Sequence, residues 1–297
     1  MKTRKNKYII DRNKIDGKAI SQAIKDEVKF IVEDEKLNPC LAVIQVGNNP
    51  ASTTYVNNKN KACEYCGIKC ITIHMDEDVT EAHLIQEIMR LNTNDSVSGI
   101  LVQLPLPAHI NERRVLSVIS PYKDVDCFGD ENIGRLTKNA LAASKQPCTP
   151  SGIIKMLDFI GFDYEGKNAV VIGRSNIVGK PMALMLLARD MNVTILHSKT
   201  PKEQLKKYCK NADLIVVATG HRNTLTEEHF GRKKPVIIDV GINRDENGKL
   251  CGDISEEVKK KYSKYYSPVP SGCGLLTVAM LMFNTLKAHQ QKFIERI

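Results

Sequence analysis

Residues 169–181 read Ala-Val-Val-Ile-Gly-Arg-Ser-Asn-Ile-Val-Gly-Lys-Pro, and this stretch decides the fold. A short apolar run of strand length leads into a small-residue turn from Gly173 to Gly179, and a helix is predicted to follow. The backbone N–H groups of such a turn and the helix N-terminus can hold a pyrophosphate. The spacing is GxSxxxG rather than GxGxxG, and other tight βα turns also use small residues. The turn alone therefore indicates a dinucleotide site without establishing it.

The end of the next predicted strand, residues 193–196, bears on the choice of nucleotide. An NAD site usually has an acidic residue there, about 20 residues after the glycine turn, to bind the ribose 2′-hydroxyl. This chain has His197-Ser198-Lys199 instead, with Arg174 in the first turn. A hydroxyl and cations suit a 2′-phosphate, so the sequence favours NADP over NAD.

Alternating helices and strands predict an α/β fold. Val- and Ile-rich runs at 169–172, 193–196, 214–218 and 236–239 are typical of a parallel sheet buried on both faces. An earlier pattern predicts helices and strands in alternation, at 18–36, 41–46, 52–66, 70–74, 81–92 and 99–103. Residues 121–148 are predicted to be an extended connection, after which Thr149 as N-cap and Pro150 begin a helix that Gly161 ends.

The expected architecture is two α/β domains around a cleft. The N-terminal domain is assigned to residues 1–148 and a Rossmann-like NADP-binding domain to residues 149–274. The final helix, 275–297, is expected to pack back on the N-terminal domain.

Composition narrows the range of partners. The chain has 297 residues, 42% of them hydrophobic, and a net charge of +9. A basic surface attracts nucleic acid, acidic lipids or anionic small molecules. No nucleic-acid recognition motif accompanies the charge, and no apolar run approaches the ~20 residues that a membrane helix needs. We therefore expect an anionic small-molecule partner, with no nucleic acid and no membrane.

Cysteine usage points to a reducing compartment. The nine Cys are odd in number, and no apolar signal segment follows the basic N-terminus Met1–Lys7. We expect free thiols and a cytoplasmic protein. Cys63, Cys66 and Cys70 lie close in sequence, but no second CxxC or His pair follows them, so no metal site is predicted.

A second group of residues carries reactive side chains. Tyr55 and Lys59 lie four apart and share one face of the helix at 52–66. Gln103 ends the strand at 99–103, and Asp124 and Asp126 lie in the connection that follows. Spacing alone favours ordinary surface roles for each of them.

Several motifs of this sequence resemble those of the bifunctional methylenetetrahydrofolate dehydrogenase/methenyltetrahydrofolate cyclohydrolase family, in order from about residue 8 to 286. They are Gly47 to Lys59, Gly99 to Pro107, Lys123 to Asp126, Pro147 to Pro150, Gly173 to Pro181, His197-Ser198, Ile238 to Asn243, Gly252-Asp253 and Pro268 to Pro270.

The resemblance implies a role for each site residue. Tyr55 stacks on the p-aminobenzoyl ring of folate, Lys59 is catalytic for hydrolysis, Gln103 tunes Lys59, and Asp126 holds the pterin. NADP is contacted by Gly173, Arg174, Ser175, Ser198 and Ile242. The remaining folate-binding positions are Val102, Leu104 and the segment Pro270, Ser271, Gly272, Cys273 and Gly274, which closes over substrate. The family is typically a homodimer, so a homodimer is expected.

Two chemical steps are implied, and alternatives remain. Hydride transfer from the methylene carbon to NADP needs orientation rather than a general base. Hydrolysis of the methenyl carbon needs proton transfer, and a lysine with a lowered pKa can act as a base or steer water by its charge. A monofunctional dehydrogenase is an alternative against which the intact Lys59 and Gln103 argue. A non-catalytic NADP-binding regulator is another.

Four positions depart from the family pattern. Cys127 replaces a usual Gly after Asp126, at a cost of about 1–2 kcal/mol if that position needs positive φ. The family's Pro-Gly-Gly-Val-Gly-Pro is Pro270-Ser-Gly-Cys-Gly-Leu275 here, so Ser271, Cys273 and Leu275 differ. These three substitutions are the best support for the regulator alternative.

Overall fold

The structure of this chain, a computed structural model, describes residues 6–139 and 145–294. Contacts divide the chain into two units, and neither unit is continuous in sequence. We call residues 6–21 and 149–277 the seven-stranded unit. Residues 22–138, 145–148 and 278–294 form the three-stranded unit. Residues 1–5 of the basic N-terminal segment lie outside the described residues.

The described ranges contain helices and strands in alternation. The α-helices are α1 Gly17–Asp34, α2 Pro50–Tyr65, α3 Glu81–Thr93, α4 Glu112–Ser117, α5 Asp130–Asn139, α6 Cys148–Phe159, α7 Gly179–Leu187, α8 Lys202–Asn211, α9 Glu256–Tyr262 and α10 Cys273–Ile294. The strands are β1 Ile9–Ile10, β2 Lys14–Ile15, β3 Cys40–Val46, β4 Lys69–Met75, β5 Gly99–Val102, β6 Asn168–Ile172, β7 Asn192–Leu196, β8 Leu214–Val217, β9 Val236–Asp239, β10 Asn243–Arg244, β11 Leu250–Cys251 and β12 Tyr265–Tyr266. No helix in these ranges has both the length and the apolar character that a membrane span requires.

The seven-stranded sheet has the order β1-β2-β12-β9-β8-β6-β7. Strands β6 to β9 pair in parallel, and β8 and β9 are buried along their whole length, as their Val and Ile runs predict. The chain leaves β6 for β7 on one side and reaches β8 on the other. Such a reversal opens a crevice at the carboxyl ends of the strands, and Gly173 follows β6 at that point.

The other side of this sheet differs from the sequence prediction. Residues 9–15, which the linear boundaries assigned to the N-terminal domain, form β1 and β2 and join the seven-stranded sheet. Lys14 of β2 pairs in parallel with Tyr266 of β12. Each of these strands has only two residues, which is too short to show an apolar period.

The three-stranded sheet has the order β4-β3-β5, all parallel. Strand β3 is buried throughout, and its pairing of Ile44 with Val102 fixes the register with β5. Helix α3 packs Leu84 and Ile88 into the same core. Its first turn is capped by Thr80, whose hydroxyl accepts a hydrogen bond from the backbone N–H of His83 at 3.2 Å.

Two local predictions around residues 121–150 are wrong. The connection predicted as extended contains helix α5, whose apolar content is low. Acidic residues begin it and Lys138 lies in its last turn, as the helix dipole favours, but its large apolar residues are only Ile133 and Leu136, too few for a clear period in the sequence. Helix α6 begins at Cys148, which places Thr149 inside the first turn rather than at the N-cap.

Candidate active site

Lys59 and Gln103 meet in the three-stranded unit. Helix α2 carries Lys59, and Gln103 follows the last residue of β5. The Gln103 backbone N–H donates to the Ile44 carbonyl at 2.8 Å, which fixes the strand end. The Lys59 Nζ donates to Gln103 Oε1 at 2.8 Å, and Gln103 Nε2 donates to the Leu104 carbonyl at 2.6 Å. The amide is therefore held at both ends, and it orients the amine.

Burial changes the acidity of this site. Loss of solvation lowers the pKa of the half-buried Lys59 amine, and the Asp126 carboxylate opposes that change. Burial likewise raises the pKa of the Asp126 carboxyl, against the effect of Lys59. A lysine with a lowered pKa exchanges protons more readily near neutral pH.

The loop that carries Asp126 is organised by its neighbour Asp124. One oxygen of the buried Asp124 carboxylate accepts from the Cys127 backbone N–H at 2.9 Å. The other accepts from Gly129 N–H and from Asn132 Nδ2, both at 2.9 Å. Asp124 is thus a structural anchor, while Asp126 is the carboxylate that interacts electrostatically with Lys59.

The other predicted folate-binding residues of this unit differ in exposure. Tyr55 lies one turn before Lys59 on α2 and is 38% exposed, which leaves its ring available for stacking. Leu104 is half-buried. The Val102 side chain belongs to the hydrophobic core, so only its backbone can face a ligand.

The glycine turn after β6 lies in the seven-stranded unit. A Cβ at Gly173, whose φ is 128°, would overlap the Ala218 carbonyl, and a Cβ at Gly179 would overlap the Gly173 carbonyl. The Ser175 hydroxyl accepts from the backbone N–H of Val178 at 3.1 Å and of Gly179 at 3.4 Å. The backbone therefore packs closely ahead of α7, as a pyrophosphate site requires.

The predicted 2′-phosphate residues are placed at strand ends of this same unit. Arg174, Ser198 and Lys199 are exposed. The turn after β7 is closed by His197 N–H, which donates to the Thr200 hydroxyl at 3.0 Å. Ile242 follows β9 and is 50% exposed, which is unusual for an isoleucine beside a buried strand. The donor set of this edge, backbone N–H groups with hydroxyl and cationic side chains, fits NADP.

The segment predicted to close over substrate belongs to the seven-stranded unit. Pro270, Ser271 and Gly274 are exposed, whereas Gly272 and Cys273 are buried. The Cys273 thiol donates to the Asp239 carbonyl at 3.6 Å, and burial raises its pKa to about 12. The side chain of Cys273 therefore faces the interior.

The cysteine cluster at 63–70 does not form a metal centre. Cys63 and Cys66 are buried, and Cys70 donates to Asn60 Oδ1 at 3.1 Å. Within residues 6–139 and 145–294, no three His, Cys, Asp or Glu side chains are grouped as a metal ion would need.

Comparison with known proteins identifies the family. The tetrahydrofolate dehydrogenase/cyclohydrolase catalytic domain matches residues 15–126, and the NAD(P)-binding domain of the same name matches residues 147–293. The chain belongs to the tetrahydrofolate dehydrogenase/cyclohydrolase family. The resemblance recognised in the sequence is thereby confirmed.

Individual relatives of this family are similar over nearly their whole length. The bifunctional protein FolD of Agathobacter rectalis is 47% identical over 285 residues, covering 94% of this chain and 99% of the relative. The crystal structure of the bifunctional FolD enzyme from Campylobacter jejuni has a TM-score of 0.90 at 46% identity, covering 94% of this chain and 99% of that one. The Trypanosoma brucei FolD structure, complexed with NADP cofactor and inhibitor, has a TM-score of 0.85 at 35% identity, covering 93% and 95%.

Two of the departures from the family pattern occur at left-handed backbone positions. Cys127 has φ 58° and Ser271 has φ 79°. Glycine adopts such angles without strain, whereas a side chain adds about 1 kcal/mol or more. Cys127 therefore occupies a position of positive φ. The conformational strain of Cys127 and of Ser271 lies in loops that carry predicted folate-binding residues.

Sequence reasoning missed one residue that supports the Asp126 loop. Asn284 of α10 is buried, and its Nδ2 donates to the Val125 and Gln146 carbonyls, both at 2.8 Å. A signal was present, because Asn284 is an amide within the largely apolar stretch 278–286 of this helix, and a buried amide must find a partner.

Proposed function

We propose that this protein oxidises 5,10-methylenetetrahydrofolate with NADP and then hydrolyses the methenyl product to 10-formyltetrahydrofolate. The observation that carries the proposal is the Lys59–Gln103 pair, in which an amine of lowered pKa is held by an amide on a fixed strand end. Such an amine suits the proton transfer of hydrolysis, a step that a monofunctional dehydrogenase does not carry out. The basic balance of the chain suits anionic folates, including polyglutamylated ones.

The oxidation step needs orientation above all. NADP supplies the hydride acceptor, and the folate nitrogens stabilise the cation left at the one-carbon unit. We assign Tyr55 to stacking on the p-aminobenzoyl ring and Asp126 to the pterin. Gly173, Ser175 and Ile242 are assigned to the dinucleotide. No proton needs to move to a protein group in this step.

Hydrolysis is the step that requires Lys59. Water attacks the methenyl carbon and gives up a proton, which the neutral amine can take. The bond from that carbon to N5 then breaks, N5 takes a proton, and the formyl group stays on N10. Gln103 accepts a hydrogen bond from the amine and so keeps the lysine nitrogen aligned.

Preference for NADP rests on the residues after β6 and β7. Arg174 and Ser198 are exposed at positions suited to a 2′-phosphate, and no carboxylate is present among residues 197–199. Charge-assisted hydrogen bonds to phosphate are stronger than neutral ones, so the phosphate would strengthen binding.

An absorbance assay with purified protein tests the proposal. With methylenetetrahydrofolate, NADP should be reduced faster than NAD, and the methenyl product should disappear without added enzyme. Accumulation of the methenyl product would instead indicate a monofunctional dehydrogenase. Tight NADP binding with no turnover would indicate a regulator.

We also propose that the protein is a homodimer joined through the free edge of the seven-stranded sheet. In the described part of the chain β7 is the last strand on that side, and Ile195 and Leu187 beside it are 41% and 59% exposed. An apolar edge strand favours pairing with another chain. Light scattering should give a dimer for the wild-type protein and a monomer for Ile195→Lys; a monomeric wild type would contradict this proposal.

A cytoplasmic location is proposed on the state of the cysteines. All nine are free, and seven of them are buried. Free thiols suit a reducing compartment. Fractionation of cells that express the tagged protein would test the location.

A further inference from the structure

Two motifs quoted for the resemblance, Ile238 to Asn243 and Gly252-Asp253, interlock in the seven-stranded unit. The Asp239 carboxylate accepts from the backbone N–H groups of Asp253 at 2.9 Å and Ile254 at 3.1 Å. It also accepts from the buried Lys259 Nζ at 2.8 Å. A Cβ at Gly252 would overlap the Asp239 carboxylate, so this approach requires glycine.

The Asp253 carboxylate makes the reciprocal contact, from the second motif back to the first. A Cβ at Gly241 would overlap the Asp253 carboxylate, so the loop after β9 lies directly against this side chain. Oδ1 of Asp253 accepts from Asn243 Nδ2 at 2.9 Å. Gly241 and Asn243 flank Ile242, and Asp253 therefore holds the residues on both sides of it.

The same carboxylate also binds the loop after β8. Oδ2 of Asp253 accepts from the Thr219 backbone N–H at 2.7 Å, the Thr219 hydroxyl at 2.8 Å and the Gly220 N–H at 3.1 Å. Asp253 is fully buried, so it cannot touch solvent or a ligand directly. Its contacts instead join two loops at the carboxyl ends of neighbouring strands.

The loops after β8 and β9 lie on the same side of the glycine turn that follows β6. The residues suited to pyrophosphate and 2′-phosphate follow β6 and β7, which places the adenosine half of a dinucleotide over those strands. The nicotinamide half must then extend over β8 and β9, where Thr219, Gly220 and Ile242 lie.

We propose that Asp253 is a positioning residue for hydride transfer: it fixes the loops after β8 and β9 that receive the nicotinamide half of NADP. The inference rests on the proposed function and deepens it. Asp253 itself does not contact the cofactor. It sets where the loops present their backbone N–H groups and the exposed Ile242 side chain.

Replacement by the isosteric amide is the sharpest test. In Asp253→Asn one carboxylate oxygen becomes an NH2 group, which cannot accept hydrogen bonds. In one orientation of the amide the bonds from Thr219 and Gly220 are lost, and in the other the bond from Asn243 is lost. At least one loop loses its anchor while the volume is unchanged. Asp245→Asn is the matched control, because Asp245 is a half-buried carboxylate that accepts only from backbone N–H groups of its own turn.

One reaction and one binding measurement, neither of which involves the nicotinamide, distinguish a positioning role from general damage to the protein. Hydrolysis of methenyltetrahydrofolate uses no nucleotide, and adenosine 2′,5′-bisphosphate binds only where the adenosine half lies. For Asp253→Asn we expect dehydrogenase kcat to fall about tenfold or more, because small displacements of reacting atoms are costly. Hydrolysis and affinity for the bisphosphate should stay within about twofold of wild type, as should all activities of Asp245→Asn.

Several outcomes would overturn the inference. Dehydrogenase activity of Asp253→Asn within twofold of wild type would do so, as would an equal fall of both reactions in a folded variant. If Asp253→Asn fails to fold, Asn243→Ala removes one donor only and should lower dehydrogenase kcat selectively; no selective loss there would count against the proposal. A wild-type protein that hydrolyses but never reduces NADP would refute the proposed function, and this inference with it.

Discussion

The two units of the molecule carry different kinds of predicted functional group. The three-stranded unit presents reactive side chains, chiefly the Lys59 amine held by the Gln103 amide. The seven-stranded unit presents backbone loops, which Ser175, Asp239 and Asp253 hold in place from within. A single substitution can therefore remove a chemical step on the first unit, whereas on the second it should weaken binding or alignment.

Loss of the amine should have the largest effect. We expect Lys59→Met to lower the hydrolysis rate about 10²–10⁴-fold, the usual contribution of a proton-transfer group, and dehydrogenase activity by less than about tenfold. Separate assays of the two steps measure this, with Lys61→Met on the exposed face of the same helix as the control. Equal loss of both steps would contradict the division of labour between side chains and loops.

The second-largest effect is expected for Arg174, in the turn after β6 that is predicted to bind NADP. Arg174→Ala should raise KM for NADP about 10–100-fold, because a charge-assisted contact to phosphate contributes roughly 1.5–3 kcal/mol. KM for NAD should stay within about twofold, and the hydrolysis rate should not change. Steady-state kinetics with both nucleotides provide the internal control; an equal rise for NAD would mean that Arg174 does not recognise the 2′-phosphate.

A smaller effect is expected on the pH dependence of hydrolysis. If neutral Lys59 is the base, the rate rises with pH up to the lowered pKa of the amine. Gln103→Glu places a carboxylate beside the ammonium, which favours the charged form and raises that pKa. The acidic limb of the hydrolysis profile should therefore move to higher pH by roughly one unit. An unmoved limb would favour a role in which Lys59 steers water by its charge.

The smallest effect distinguishes strain from packing at Cys127. Cys127→Gly should be more stable than Cys127→Ala by about 1 kcal/mol, because alanine keeps the strain of φ 58° and glycine relieves it. At an ordinary position the order is reversed. Urea denaturation followed by circular dichroism measures the difference, and greater stability of the alanine variant would show that the loop carries no strain.

Sequence predicted the elements that have a strong local signal. Long Val- and Ile-rich strands and the amphipathic helix α1 lie within a few residues of their predicted positions, since burial on a regular period leaves a pattern. Helix α5 was missed because Ile133 and Leu136 are its only large apolar residues, and β1, β2 and β12 because two-residue strands are defined by their partners.

Some residues of the candidate site were singled out from the sequence, whereas the residues that support them were not. Lys59, Gln103 and Tyr55 were assigned to the site by the family resemblance, because their spacing alone favoured ordinary surface roles, and those assignments stay predictions. Asp253 and Asn284 act through hydrogen bonds to distant parts of the chain, and no local spacing reveals such partners. Cys273 looks like a substrate-segment residue in sequence, yet its thiol points inward.

The pairing of Lys14 with Tyr266 has a consequence for biosynthesis. Strand β2 is translated long before its partner β12, so this part of the sheet cannot be completed while the residues between them are still being made. Until then β2 is paired with β1 on one side only, and a nascent chain stalled before Tyr266 is the form that chaperones would be expected to shield.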